Sequence, residues 1–205
     1  MKKLLSTTML MVIWILGSSF GGENETLTKE DKKEIINYLK TSQSDLIESI
    51  KGLTDEQWTF KPNEESWSVA EICEHIIKAE PVVLKRVVNL EGMEYKPDQV
   101  EGYREKGNEM IEFIVGRSQK FQAPEPITPE GAYKTPASFI EAFKSRRSET
   151  KGFVKALDKP VKAYFENFGP VGEVSGYHWL MFISAHTERH HAQLKEVLAN
   201  PDFPI

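Results

Sequence analysis

Six consecutive residues near the C-terminus, His186-Thr187-Glu188-Arg189-His190-His191, hold three of the five histidines. On a helix each residue turns by about 100°, so His186 and His190 differ by about 40° and face one way, one turn apart. One helix can present two imidazoles to a single metal ion in this way. His191 stands about 100° round from His190 and faces elsewhere. The stripe carrying the pair also holds Trp179, Phe182, Ile183, Gln193 and Val197, which points it into a core. Two neutral core histidines bonded to backbone or water fit the same pattern. The pair alone leaves both readings open.

The stretch is not a zincin motif. That motif needs glutamate directly after the first histidine, where Thr187 stands, and its inverted form needs glutamate where Arg189 stands. Glu188 lies about 200° from His186, so the stretch supplies no general base of its own. A third candidate, His75, is in phase with the apolar positions Ile72, Ile76 and Ala79. Three histidines leave a fourth position for water, the arrangement of a catalytic rather than a structural zinc site. Such a metal lowers the pKa of water and polarises a substrate oxygen.

The neighbours divide by phase. Glu71, one turn before His75, is either a partner or base of the site or simply the capping partner of Ser68. Glu74 is about 100° from His75 and predicted to be solvated, and Cys73, about 200° away, is an ordinary buried thiol. His178 falls roughly 80° off the face of His186 and is predicted to line the bundle end. Gln193, three residues beyond His190, either bonds a ligating imidazole or is a packed or solvated amide.

The whole composition narrows the classes. The chain has 205 residues, 26 basic against 31 acidic groups, one cysteine and a formal charge of −5. One cysteine excludes an internal disulfide framework and a cysteine-based zinc finger. The acidic balance argues against a nucleic-acid binder. The sequence lacks the glycine-rich nucleotide cradles and the G-x-S-x-G elbow. Any transition-metal site must therefore be built from histidine and carboxylate.

Lys2 and Lys3 precede an apolar run from Met9 to Leu16 and a small-residue region, Gly17 to Gly22. This is the form of a secretory signal peptide, and the run is too short for a membrane span. Residues 1–22 are expected to be removed, leaving a single domain over 23–205 that is periplasmic or extracellular. Cleavage there leaves 24 basic and 31 acidic groups and a net charge of about −7.

Helical periodicity dominates the remainder. Thr28 caps a first helix reaching about Lys51, with Ile35, Ile36, Leu39, Leu46, Ile47 and Ile50 at three-and-four spacing. Ser68 and Glu71 form a capping box for a second, with Trp67 predicted to staple onto Ile72. Pro81 predicts a kink or two abutting helices near Glu80. A short helix is expected over Asn108–Lys120, and Pro136 opens a third long helix carrying Phe139, Phe143, Val154 and Leu157. Residues 92–107 and 158–172 read as loops. The last helix is expected from near Ser175 to about Leu198. Four long helices without a convincing strand predict an all-α four-helix bundle with short extra helices in its connections.

Trp67-Ser68-Val69-Ala70-Glu71-Ile72-Cys73-Glu74-His75 resembles the W-S-x-x-E-x-x-x-H entry to the second helix of the DinB-like superfamily. His186 to Leu194 is similar to its H-x-x-x-H-x-x-Q ending on the fourth helix. The likeness covers about residues 28 to 198, and the family's bundle is shared with YfiT-type metal-dependent hydrolases. The resemblance implies an up-down-down-up four-helix bundle with a divalent metal, zinc or nickel first among the candidates, on His75, His186 and His190. It also implies a hydrolase acting on a small-molecule substrate, with a homodimer as one assembly. Its alternatives are a metal-dependent thiol transferase and a non-catalytic metal- or ligand-binding bundle. The signal peptide counts against a cytosolic thiol cosubstrate.

Overall fold

The computed structural model describes residues 24–117, 119 and 121–205, so the expected signal peptide, 1–22, lies outside the described residues. The long helices are α1 (Lys29–Ile50), α3 (Val69–Asn89), α5 (Pro136–Ala156) and α6 (Gly176–Leu198). Two shorter ones, α2 (Asp55–Thr59) and α4 (Tyr103–Val115), lie in the connections. Among the described residues, no helix is long and apolar enough to cross a membrane.

Local signals set the helix starts. Thr28, Thr54, Ser68 and Thr135 each accept the N3 backbone N–H in a capping box. Pro136 occupies the first turn of α5, where its missing N–H has no helical partner to lose. The α3 helix continues through Pro81, so the two-helix reading does not hold. The carbonyl at Ile77 loses its partner there, but the flanking turns are pinned in the core by Ile76, Ile77, Ala79 and Val83.

Cross-helix contacts give the directions. Tyr177 meets Glu34 and His191 meets Ser49, so α1 and α6 run parallel. Lys32 reaches the carbonyl of Lys155 and Gln43 meets Lys151, so α5 runs against α1. Arg86 lies over Trp179 and His75 meets His186, so α3 runs against α6. The bundle is up-down-down-up.

The connections are less bare than the sequence suggested. Strands β1 (Glu94–Tyr95), β2 (Tyr164–Asn167) and β3 (Glu173–Ser175) form a small antiparallel sheet in the order β1-β2-β3. Glu94 pairs with Phe165, and Phe165 with Ser175. Strands of two to four residues are too short for alternation to be read, and β1 and β2 fall in the stretches 92–107 and 158–172 that read as loops in the sequence. The α4 helix starts five residues before the expected Asn108 and ends at Val115. Its buried stripe includes Gly107, Met110 and Ile114, and a glycine disguises the pattern. A Cβ on Gly107 would sit 2.4 Å from Cδ2 of His178, so the glycine is what lets α4 close on α6.

The core has two apolar clusters. One holds Ile35, Leu39, Val83, Val87, Val154 and Leu180; the other holds Leu46, Ile50, Ile72, Ile76, Phe139, Phe143 and Leu194. Between them along the helices lies a buried polar layer of Ser42, Glu80, Arg147, Thr150, Ser184 and Thr187.

Candidate metal centre

The α3 and α6 helices bring His75, His186 and His190 together, with one nitrogen of each within 4.8 Å of the others. The Nε2 of His186 lies 3.2 Å from that of His75 and 3.1 Å from that of His190. Far-side contacts assign the protons. His75 Nδ1 is 2.9 Å from the carbonyl of Ile127 and must donate to it. His190 Nδ1 donates in the same way to Oε1 of Gln193 at 2.9 Å. Both neutral rings therefore turn an Nε2 lone pair toward His186, which has one Nε2 proton at most to share between them. Such a cluster of acceptors is suited to a cation.

The residues fit a metal on this observation. Tetrahedral zinc–imidazole bonds of about 2.0–2.1 Å place ligand nitrogens about 3.3 Å apart, close to the spacings seen. The backbone carbonyl and the amide oxygen are the second-sphere partners that fix tautomer and ring orientation in such sites.

Electrostatics keep the rings neutral. Burial pushes His75 below the usual imidazole range, partly opposed by the Ile127 bond. Burial holds His186 well below that range, and the His190 and His75 rings add to the effect. His190 is pushed down to about 3, by burial and then by His75. Few protons need displacing at neutral pH for all three to ligate.

Aromatic rings wall the cluster. Phe182 stacks on His186 at 5.4 Å, and Trp67 lies 4.9 Å from His75 and 6.4 Å from His190. Trp67 packs on the apolar cluster that includes Ile72, and its indole also reaches the imidazoles of His75 and His190. Among the described residues no carboxylate hydrogen-bonds any of the three rings. The guanidinium groups of Arg189, Arg147 and Arg117 are the cations acting on His186 and His190. Arg189 is buried and gives its protons to the carbonyls of Ile114 and Gln119, at 2.9 and 2.5 Å.

The neighbours separate mostly as their phases predicted. His191 bonds Ser49 Oγ at 2.8 Å, and Glu188 accepts from the Tyr38 hydroxyl at 2.8 Å. His178 accepts the Ser175 N–H at 2.8 Å and donates from Nε2 to the Tyr103 carbonyl at 2.5 Å. Burial pushes the Cys73 thiol up, so it stays protonated and outside the site. Glu71 caps α3 through the Ser68 N–H and pairs with Lys61 at 2.7 Å, which settles its role. Glu74 is the correction. Expected in solvent, it is 2% exposed and accepts three backbone N–H bonds, from Glu130, Gly131 and Ala132. No local signal marks the loop that covers it. Ile127, whose carbonyl serves His75 from 52 residues away, was missed for the same reason.

Fold and site together define a four-helix bundle carrying a three-histidine cluster, His75 buried and His186 and His190 half-buried, between antiparallel helices. The sequence matches the DinB superfamily over residues 38–194, and the chain belongs to that superfamily. It is 25% identical over 151 residues to the uncharacterized protein YuaE of Bacillus subtilis (strain 168), covering 72% of this chain and 87% of YuaE. Its fold is similar to that of YfiT from Bacillus subtilis, described as a probable metal-dependent hydrolase with an unusual four-helix bundle topology. That likeness has a TM-score of 0.51 at 18% identity, over 84% of this chain and 89% of YfiT.

Proposed function

We propose that this chain is an exported metal-dependent hydrolase that holds one divalent ion, zinc or nickel, on Nε2 of His75, His186 and His190. The observation that carries the reading is the facing of three Nε2 atoms whose far-side bonds leave more lone pairs than protons among them. A divalent ion held there supplies Lewis acidity, polarising a substrate oxygen and lowering the pKa of water. The Ile127 carbonyl and Gln193 hold the two outer rings in the ligating tautomer. Phe182 and Trp67 shield the cluster and narrow the approach. Of the arginines near the rings, Arg147 is paired with Glu80 and Arg117 with Glu196, so among the described residues Arg189 is the guanidinium beside the site that is held by carbonyls rather than by a carboxylate.

A second reading is a stabilising metal staple, favoured by the placement of the ligands on two helices that cross the core. Both readings require metal. Elemental analysis after loading and dialysis is expected to find one divalent ion per chain, with His186→Ala abolishing it. A panel of paired anionic and neutral esters then separates them. Metal-dependent turnover lost in His186→Ala supports the hydrolase. Tight metal binding that raises the melting temperature without turnover supports the staple, and no metal uptake sinks both.

A further inference from the structure

We propose that Glu74 is a positioning residue of the three-histidine site: it ties down residues 124–132 and thereby keeps the Ile127 carbonyl on Nδ1 of His75. The inference rests on the reading that His75 offers Nε2 to a metal.

The geometry is a strap across one face of α3. Oε1 of Glu74 accepts the N–H of Glu130 at 2.8 Å, and Oε2 accepts those of Gly131 and Ala132 at 2.8 and 2.9 Å. Hydrogen bonds to a buried carboxylate are charge-assisted and roughly twice as strong as neutral ones. Gly131 has φ +78°, a left-handed conformation open to glycine at little cost, and it turns two successive N–H groups onto the same oxygen. Lys78, one turn further along α3, adds a second tie by donating to the Thr128 carbonyl at 2.7 Å. Between the strap's start and these ties, a single 3₁₀ turn over Glu125–Ile127 presents the Ile127 carbonyl to His75. Glu74, His75 and Lys78 thus meet one continuous segment.

The consequence lies in the ring proton. An imidazole facing a carbonyl through Nδ1 carries its proton there and keeps the Nε2 lone pair for a ligand. Releasing the strap removes that bias, so His75 samples both tautomers and its ring is free to turn. Pro124, Pro126 and Pro129 have no backbone N–H, which leaves this stretch few donors with which to anchor itself. The side chain of Glu74 supplies the anchor instead.

The test compares wild type with Glu74→Ala, Glu74→Gln and, as a control, Ser68→Ala, all in the full chain. Ser68→Ala removes the α3 cap without touching the strap. Nitrogen-15 NMR of the histidine rings in metal-free protein reads the His75 tautomer, and competition with a chelator reads zinc affinity. Glu74→Ala is expected to lose the pure Nδ1–H form of His75 and to weaken zinc binding about 10- to 100-fold. Glu74→Gln keeps an accepting oxygen and is expected to lie between, which preserves the test if the alanine variant does not fold. Ser68→Ala is expected to lower the melting temperature and leave tautomer and affinity unchanged. A Glu74 variant that melts earlier but keeps the wild-type His75 tautomer overturns the proposal. If wild type takes up neither zinc nor nickel, the metal reading fails while the tautomer still decides the role of Glu74.

Discussion

At the residue scale, the site is made by what stands behind each imidazole. Gln193 and the Ile127 carbonyl each take an Nδ1 proton, and that single bond decides which nitrogen of the ring can ligate. The two partners differ in origin: Gln193 is three residues from His190 on the same helix, whereas Ile127 comes from a distant loop. Replacing Gln193 with leucine keeps the volume and removes the acceptor. Zinc affinity in Gln193→Leu is expected to fall about 10- to 100-fold, measured against a chelator. An unchanged affinity would show that ring packing alone orients His190. Trp67 contributes that packing but sets no tautomer.

At the element scale, α3, α5 and α6 are joined by the polar layer beside the histidines. Arg147 on α5 donates to Thr187 Oγ1 on α6 at 2.5 Å, and its Nε lies 3.2 Å from Oε2 of Glu80 on α3. Thr150 donates to the other Glu80 oxygen. Burial lowers the Arg147 pKa while Glu80 pulls it back up, as expected for an ion pair held away from water. Removing one member strands the other's charge, so Arg147→Met is expected to cost about 3–5 kcal/mol in urea unfolding. Arg147→Met with Glu80→Met is expected to recover most of that loss, because no unpaired charge then remains. A single variant within about 1 kcal/mol of wild type would mean that the pair is effectively solvated. The layer's position suits a registry role: it joins the helix that bears His75 to the helix that bears His186 and His190.

At the scale of the whole molecule, buried neutral histidines make stability depend on pH. His178 is 0% exposed, and burial depresses its pKa to about 4, opposed in part by the Tyr103 carbonyl. Its folded pKa lies below the unfolded value of about 6.5, so only the unfolded chain takes up the proton between them. Stability is therefore full above about pH 6.5 and falls as pH drops toward 4, by roughly 3 kcal/mol from this residue. The three site histidines act in the same direction in the metal-free protein. Urea unfolding of metal-free protein across this range is expected to show that slope. His178→Gln keeps a donor for Tyr103 and should reduce the slope by about one proton. A slope unaffected by the substitution would place the linkage elsewhere.

What the chain shows along its length is local. Capping residues, the spacing of apolar positions and the 40° offset of His186 from His190 depend on neighbours within two turns, so the four long helices and the facing imidazole pair are legible in it. Gln193 is legible for the same reason. The phase of His75 turned it inward, but nothing in the spacing of α3 said which helix it would meet. The small sheet, the early start of α4 and the burial of Glu74 belong to the tertiary structure, since each depends on a partner many residues away. Glu74 shows the physical reason most directly. Its angle on α3 pointed to solvent, and a loop 56 residues downstream brought three N–H groups to a side chain that helical phase alone left uncovered.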